Sequence, residues 1–473
     1  MRSVSSRIAV SAVAAAMGWG SLAMSSEAAA KHPGRLRPVV EIEEEVYRFE
    51  PANNGANPLW CSGSTCLVRI GEKVFASGLE TLQCVRPLNN CRWTLWERKA
   101  DGWKLQQVDA KGRTREPCPL ACFERGPLFL SANPTLVSDP NAYGGPARPE
   151  VLQFDPTDLA APYQVLLPKW QGEPAFTEHS YRSFAADGPQ GELILLQNIG
   201  YTHAEWAFRD RGGAWSAAGK LVWPWGGDYP KPREIRICYP NVALKDRAVY
   251  FCGVSDIEEP NPEWRAFKKQ LTGRDWDYDF RRLFYTWTPD VTKTGFQPWV
   301  EIASREKTCG WIMPGDLWVA PNGVVHLLWT ERAIDERLRP KFFPDAKQSH
   351  ALNYAQVRDG KVLLRRALIE AVEGGPNEVP SAGRFHITPD HRLLVVCYVS
   401  GTNSGGKPVA ENRLLELGPD GTVVDQSPIP LKHPFTSYFT ATPRAGSAPT
   451  NILDMFGARA GGQNAMSYAR IRI

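Results

Sequence analysis

Apolar residues in this chain gather into short continuous runs separated by tight polar turns. Glu192 to Leu196, Val324 to Trp329 and Arg392 to Tyr398 are nearly unbroken apolar stretches. A half-exposed strand alternates in character, so these runs predict strands buried on both faces. Each run belongs to a unit of two strands joined by a turn rich in Asp, Gly, Asn or Pro. Units 182–197, 239–253, 315–330 and 384–399 align, with 66–78 as a more degenerate copy. They turn at Asp187 to Gly191, Lys245 to Arg247, Pro321 to Gly323, Pro389 to His391 and Gly71 to Lys73. A second hairpin follows each, marked by Asp101-Gly102, Gly212-Gly213, Gly295, Asp359-Gly360 and Asp420-Gly421,. Two hairpins make four antiparallel strands.

The spacing predicts seven such units, at 58–108, 115–170, 177–225, 237–304, 308–371, 382–431 and 433–473,. The last is one strand short, and Val46 to Phe49 can supply that strand by closing the ring. The predicted fold class is therefore all-β. It is a seven-bladed β-propeller of four-stranded antiparallel blades, closed between its N- and C-terminal strands. A pair of β-sandwiches is the competing architecture, and it predicts less regular spacing.

The first thirty residues change the picture of where the protein works. Arg2 and Arg7 precede the small-residue apolar run Ile8 to Met24, and Ala28 to Ala30 form a cleavage pattern before Lys31. This reads as an export signal at 1–30, with a single propeller domain at 31–473. An uncleaved anchor is the alternative, although the run is short for a membrane span. Cleavage leaves a protein that is secreted or periplasmic, with no membrane segment, and a monomer is expected. Net charge is +4 and falls to +3 once Arg2, Arg7 and Glu27 are removed. So small a balance, with no basic run, excludes nucleic acid as the partner. An anionic ligand would have to be met by local arginines.

All ten cysteines lie beyond the signal. An even number in an exported chain suggests disulfides, with Cys61–Cys66, Cys84–Cys91, Cys118–Cys122 and Cys238–Cys252 as candidate pairs. Cys309 and Cys397 stay unassigned. A zinc site is the weaker rival, since no CxxC spacing occurs. No cofactor is specified; a structural calcium or zinc ion bracing the ring is left open.

Propeller topology then selects one face. The start of a blade's first strand and the end of its second lie on the same face of the ring. The first-to-second turns are short, whereas the second-to-third connections are long at 80–91, 131–149, 256–280, 330–352 and 400–413. Long loops mark the binding face. The 256–280 insertion predicts a helix capped by Asn261, with Pro262 at its first position and Gly273 after its end. Its Trp264, Trp276 and Tyr278 suit stacking on sugar rings or packing onto the barrel. The side chains aimed at this face are His179, Arg182, Arg236, Tyr239, Asp316 and Arg384 from first-strand starts. Second-strand ends add His203, Asp256, Glu331 and Arg332. His326, in the middle of an apolar strand, reads as core, and His350, His386, His391 and His433 carry no assigned role.

The repeat resembles the BNR-repeat, sialidase-like propellers, with degenerate Asp-box turns at Asp101 to Trp103 and Asp210 to Trp215. The middle third is more similar to the propeller-type polysaccharide lyases, the ulvan lyases among them. Glu178 to Ser183, Gly191 to Leu193, Gly200 to His203 and Cys238 to Pro240 with Tyr250-Phe251 carry that likeness. The resemblance implies β-elimination of a uronate-containing polymer in a central cleft with two histidines, a tyrosine and an arginine. His179, His203 and Tyr239 match the histidine and tyrosine places, while the family's arginine falls near Ser255.

The chemistry has simple needs. Removing the C5 proton of a uronate requires its carboxylate to be neutralised, and a bidentate, permanently charged arginine suits that. A base must take the proton and an acid must protonate the leaving oxygen. This assigns His203 or His179 as base or neutraliser, Tyr239 as acid or base, and Arg236 or Arg182 as carboxylate clamp. Arg384, Asp316 and Glu331 suit either ligand contacts or salt bridges that close the ring. Two other functions remain in play. One is a sialidase-like hydrolase with Tyr239 as nucleophile and Asp256 or Asp316 as acid. The other is a non-catalytic propeller binding glycan or protein.

Overall fold

The computed structural model describes residues 35–110 and 112–473, so the export signal expected at 1–30 lies outside the described residues. Leu36–Ile473 form one compact unit. Seven four-stranded antiparallel sheets account for its blades. Their inner strands are Leu67–Ile70, Leu120–Cys122, Ser183–Asp187, Ile237–Lys245, Trp311–Val319, Asn377–Ile387 and Phe435–Thr440. Each inner strand touches the next, and the last touches the first, so the ring is closed. The expected units fall on these sheets, except that the sixth inner strand begins at Asn377, ahead of the expected start at 382.

The apolar runs explain the radial packing. Leu193 and Leu195 point into one cluster with Phe129 and Val151 of the preceding blade. Ile194 and Leu196, on the other face of the same strand, pack against Val242 and Phe251 of the following blade. A strand sandwiched between two blades has no polar face, which is why its sequence does not alternate. Seven such clusters fill the seven inter-blade seams.

Ring closure comes from Val39–Arg48, which pairs antiparallel with Ala465–Arg472 as the outer strand of the last blade. Within the 256–280 insertion a helix spans Pro262–Thr272. Asn261 accepts from the Glu263 and Trp264 backbone amides, and Gly273 ends the helix in the left-handed region at φ 70°, as its caps predict. One expected loop is absent. Strands Leu393–Thr402 and Pro408–Leu417 pair as far as Thr402 and Pro408, leaving only a short turn folded around the Asn403 side chain.

None of the expected disulfides forms, because all ten cysteines are free. The backbone explains it. A bulge shifts the hairpin so that Cys238 faces Val254 and Cys252 faces Asn241. Cys118 and Cys122 lie along one extended segment, whose rise of about 3.3 Å per residue holds them beyond disulfide reach. Cys66 packs between the first and last blades, while Cys61 turns toward Glu116. Cys91 is buried, whereas Cys84 is exposed. Thiol titration of the unfolded chain without reductant should therefore return all ten cysteines; a shortfall of two or more would mean that bridges form.

Candidate functional site

The centre of the ring is filled from both ends. From the loop face, residues 60–65 drop into the channel ahead of the first blade. Ser64 Oγ accepts from the Phe184 amide, the Thr65 carbonyl accepts from the Leu120 amide, and Arg384 Nη2 donates to the Ser62 carbonyl at 2.8 Å. Gly63 is needed here, since a Cβ would lie 2.6 Å from the Tyr239 carbonyl oxygen and closer still to that of Pro240. From the opposite face, the connection within the last blade brings Arg444 inward. It ion-pairs with Asp316 at 2.7 Å and donates to the Gly63 carbonyl at 2.6 Å. The two segments meet there. The mouth above Trp60 is the candidate site.

Trp60 is the floor of that mouth. Tyr181 stacks on it with centroids 4.7 Å apart, His179 lies at 5.5 Å, Tyr239 meets it edge-on at 5.7 Å, and the Arg115 guanidinium sits over its ring. Tyr181 and Tyr239 come from adjacent blades, contact each other at 5.4 Å, and both hold left-handed backbone, at φ 41° and 49°. That conformation is costly for an aromatic residue and is concentrated at functional sites. The bulge between Cys238 and Asn241 turns Tyr239 toward the mouth,.

Arg236 stands beside this group, ion-paired with Asp256 at 2.6 Å and lying over the Tyr201 ring at 3.9 Å. The Tyr201 hydroxyl is 3.0 Å from that of Tyr278 on the insertion.

His203 is not part of this group. Thr202 Oγ1 lies 2.7 Å from its Nδ1 and Glu205 lies 3.0 Å from its Nε2, so both ring nitrogens are engaged locally. Arg182, at 1% exposure, donates to the carbonyls of Ser131 and Pro117. Arg384 is likewise spent on the Ser62, Gly315 and Tyr438 carbonyls. Asp316 belongs to the Arg444 pair, Glu331 pairs with Arg305, and Asp256 is held by Arg236. These residues brace the channel wall. The plug presents the Ser62 carbonyl to Arg384, while the neighbouring wall presents the Ser131 and Pro117 carbonyls to Arg182, and sequence spacing does not reveal that.

Arg332 behaves differently. With Trp60, Tyr239, Trp311, His350 and the already committed Glu331 and Arg384 it lines a cavity of about 450 Å³ at the mouth, but no carboxylate pairs with it among the described residues. Its Nε is buried without a hydrogen-bond partner. The residues missed by the sequence reading are Trp60, Tyr181, Tyr201 and Arg115. Tyr201 sits at the tip of the turn before His203, two residues from the expected position. Among the described residues no cluster of three or more metal-ligating side chains is assembled, and no helix is long and apolar enough to cross a membrane.

Burial sets the protonation states at the mouth. His179 is drawn down to about 3 by burial and by the nearby positive charges of Arg115 and Arg236, so its imidazole is neutral at ordinary pH. Its Nε2 is buried without a partner. Burial pushes the Tyr239 phenol well above the ordinary tyrosine value, with Cys238 and Asp256 adding to the rise. It stays protonated.

Burial also lowers His326 and His386 to about 4, and His326 is a core residue bonded to Tyr354 at 2.6 Å. The unfolded chain takes up protons on these histidines below about pH 6.5, while the folded chain resists until about pH 3 to 4. Stability is therefore complete above that unfolded value and falls on acidification, by up to roughly 1.4 kcal/mol per pH unit for each histidine. Glu259, lowered to about 2 chiefly through Arg281 despite its burial, adds loss of the same sign below the ordinary carboxylate range. These groups lower the melting temperature from about pH 6.5 downward, against the opposite effect of the buried Glu116, Asp256 and Asp279 carboxyls, whose pKa burial raises. A His386→Gln variant with the acid profile of the wild type would contradict the histidine assignment.

No family model matches the chain, and no curated protein matches it. Solved structures do. A polysaccharide lyase is 12% identical, covers 93% of this chain and 99% of its own, and has a TM-score of 0.49. The α-L-arabinofuranosidase of Fusarium graminearum is 11% identical over 87% of this chain and 98% of its own, at a TM-score of 0.41. An α-L-arabinanase of Penicillium chrysogenum is 11% identical over 93% and 98%, at 0.36. What the mouth does here follows from its own side chains.

Proposed function

We propose that the loop face binds an anionic, uronate-containing polysaccharide and cleaves it by β-elimination. The observation that carries this is that Tyr239, protonated and in strained backbone, and Arg332, which has no carboxylate partner among the described residues, line one cavity with Trp60, against whose ring the neutral His179 imidazole packs. Arg332 takes the substrate carboxylate, whose neutralisation makes the C5 proton acidic. The neutral His179 imidazole accepts that proton as base. The C5 electron pair forms the C4–C5 double bond, the C4–O bond breaks, and the leaving oxygen takes the Tyr239 phenolic proton. Aromatic faces at the mouth stack on the apolar faces of the sugar rings. Such a polymer lies outside the cell, in keeping with the export signal expected at 1–30.

The test is incubation with ulvan, polygalacturonate, alginate and glycosaminoglycans while following the ultraviolet absorbance of unsaturated uronates. A growing band with the wild type, abolished by Arg332→Ala, is the expected result. New reducing ends without that band would make the protein a hydrolase. Binding with no product would make it a lectin-like propeller and end the elimination proposal.

A further inference from the structure

A second cavity, of about 340 Å³, opens in front of the 256–280 insertion. It adjoins the first, for Trp311 and Arg332 line both. Its wall carries five basic side chains against three carboxylates. Three of those basic groups are already satisfied. Lys268 pairs with Glu259 and Asp277, each at 2.7 Å; Arg281 pairs with Glu259 and Glu306; Arg337 pairs with Asp335 and Asp277. Arg274 and Arg332 have no carboxylate partner among the described residues.

Two further observations point to a ligand here. Asp279, at 3% exposure, pairs through Oδ1 with Arg281 at 3.3 Å but lines the cavity with an Oδ2 that has no hydrogen-bond partner. Trp276 stands on the same rim with 60% of its surface exposed. A half-open recess with an indole face, an unsatisfied buried oxygen and two uncommitted guanidiniums matches one chemical class. A sugar ring stacks its apolar face on the indole, its hydroxyls reach the buried oxygen, and its acidic substituent meets arginine.

We propose that this second cavity holds a further sugar unit of the polymer bound at the first, so the protein takes an internal stretch of an anionic chain rather than its end. Arg274 and Trp276 hold the distal unit, and Arg332, shared by both cavities, sits between neighbouring units. The proposal rests on the uronate reading of the first cavity and adds polarity and length to it. The insertion is then a specificity device: it extends the cleft outward from the pore mouth across the fourth and fifth blades.

Calorimetry with a uronate disaccharide, tetrasaccharide and hexasaccharide of the polymer that the wild type accepts tests this. The wild type should bind the hexasaccharide distinctly more tightly than the disaccharide. In Arg274→Ala and Trp276→Ala that advantage should shrink about tenfold, the scale of one lost charge-assisted contact. Both side chains are exposed, so an unchanged melting temperature will show that the fold persists. Affinity independent of length, or an advantage untouched by either substitution, would overturn the second cavity while leaving the first intact. A wild type that binds none of the uronate oligomers would overturn both.

Discussion

Gly63→Val should be among the most damaging single substitutions in the chain, costing on the order of 4 kcal/mol or more. The new side chain would be driven into the backbone carbonyls of Tyr239 and Pro240. Neither can move without shifting the inner strand of the fourth blade. Relief requires the plug to back out, which strips the Ser62 carbonyl from Arg384 and the Gly63 carbonyl from Arg444. Two buried guanidiniums would then each lose one of their acceptors, a costly outcome for a charged group in low dielectric. Denaturant unfolding followed by circular dichroism measures the effect. Gly295→Ala is the control, because a Cβ there meets nothing. An unchanged midpoint for Gly63→Val would mean that the channel is not closed as described.

Tyr239→Phe should reduce turnover of a uronate polymer by at least about a hundredfold, the ordinary scale of a lost general acid. The phenyl ring keeps its contacts with Trp60, Tyr181 and Phe280, so stability should barely change. Affinity should also hold, which places the loss in kcat rather than KM. The ultraviolet assay of initial rates gives both parameters. A variant that retains full turnover would remove Tyr239 from the chemistry and leave it a packing residue at the mouth.

The architecture was legible because propeller strands carry no hidden variable. Ile194 and Leu195 face different blades, and both must be apolar whichever blade each meets. The helix caps were equally plain, since Asn261, Pro262 and Gly273 act locally. The site was legible only in part. Strand-end positions pick out Tyr239 and His179, but they make Arg182, Arg332 and Arg384 look equivalent. Their fates differ because wall carbonyls capture two of them, and nothing in the sequence shows that residues 60–65 occupy the channel. His203 and Tyr201 are two places apart on one tight turn; which of them leans toward Arg236 depends on the twist of that turn. The cysteines misled for a similar reason. Proximity in sequence says little about proximity of sulfurs when a bulge resets the register.

A repeated turn went unrecognised as well. Asp155, Asp290 and Asp420 each accept both the amide and the hydroxyl of a threonine two residues on. These turns lie between the third and fourth strands of the second, fourth and sixth blades. The motif is short enough to be lost among ordinary Asp-rich turns, yet it marks alternate blades independently of the apolar runs.

The pairing of Val39–Arg48 with Ala465–Arg472 bears on biogenesis. A nascent chain carries its opening strand unmatched until the closing segment has been synthesised, and the loop to be sealed is nearly the whole polypeptide. Contacts so remote in sequence form late, at a high entropic toll. Six blades would already be stacked while one edge stayed open to other chains, which makes that interval the moment of greatest exposure to aggregation.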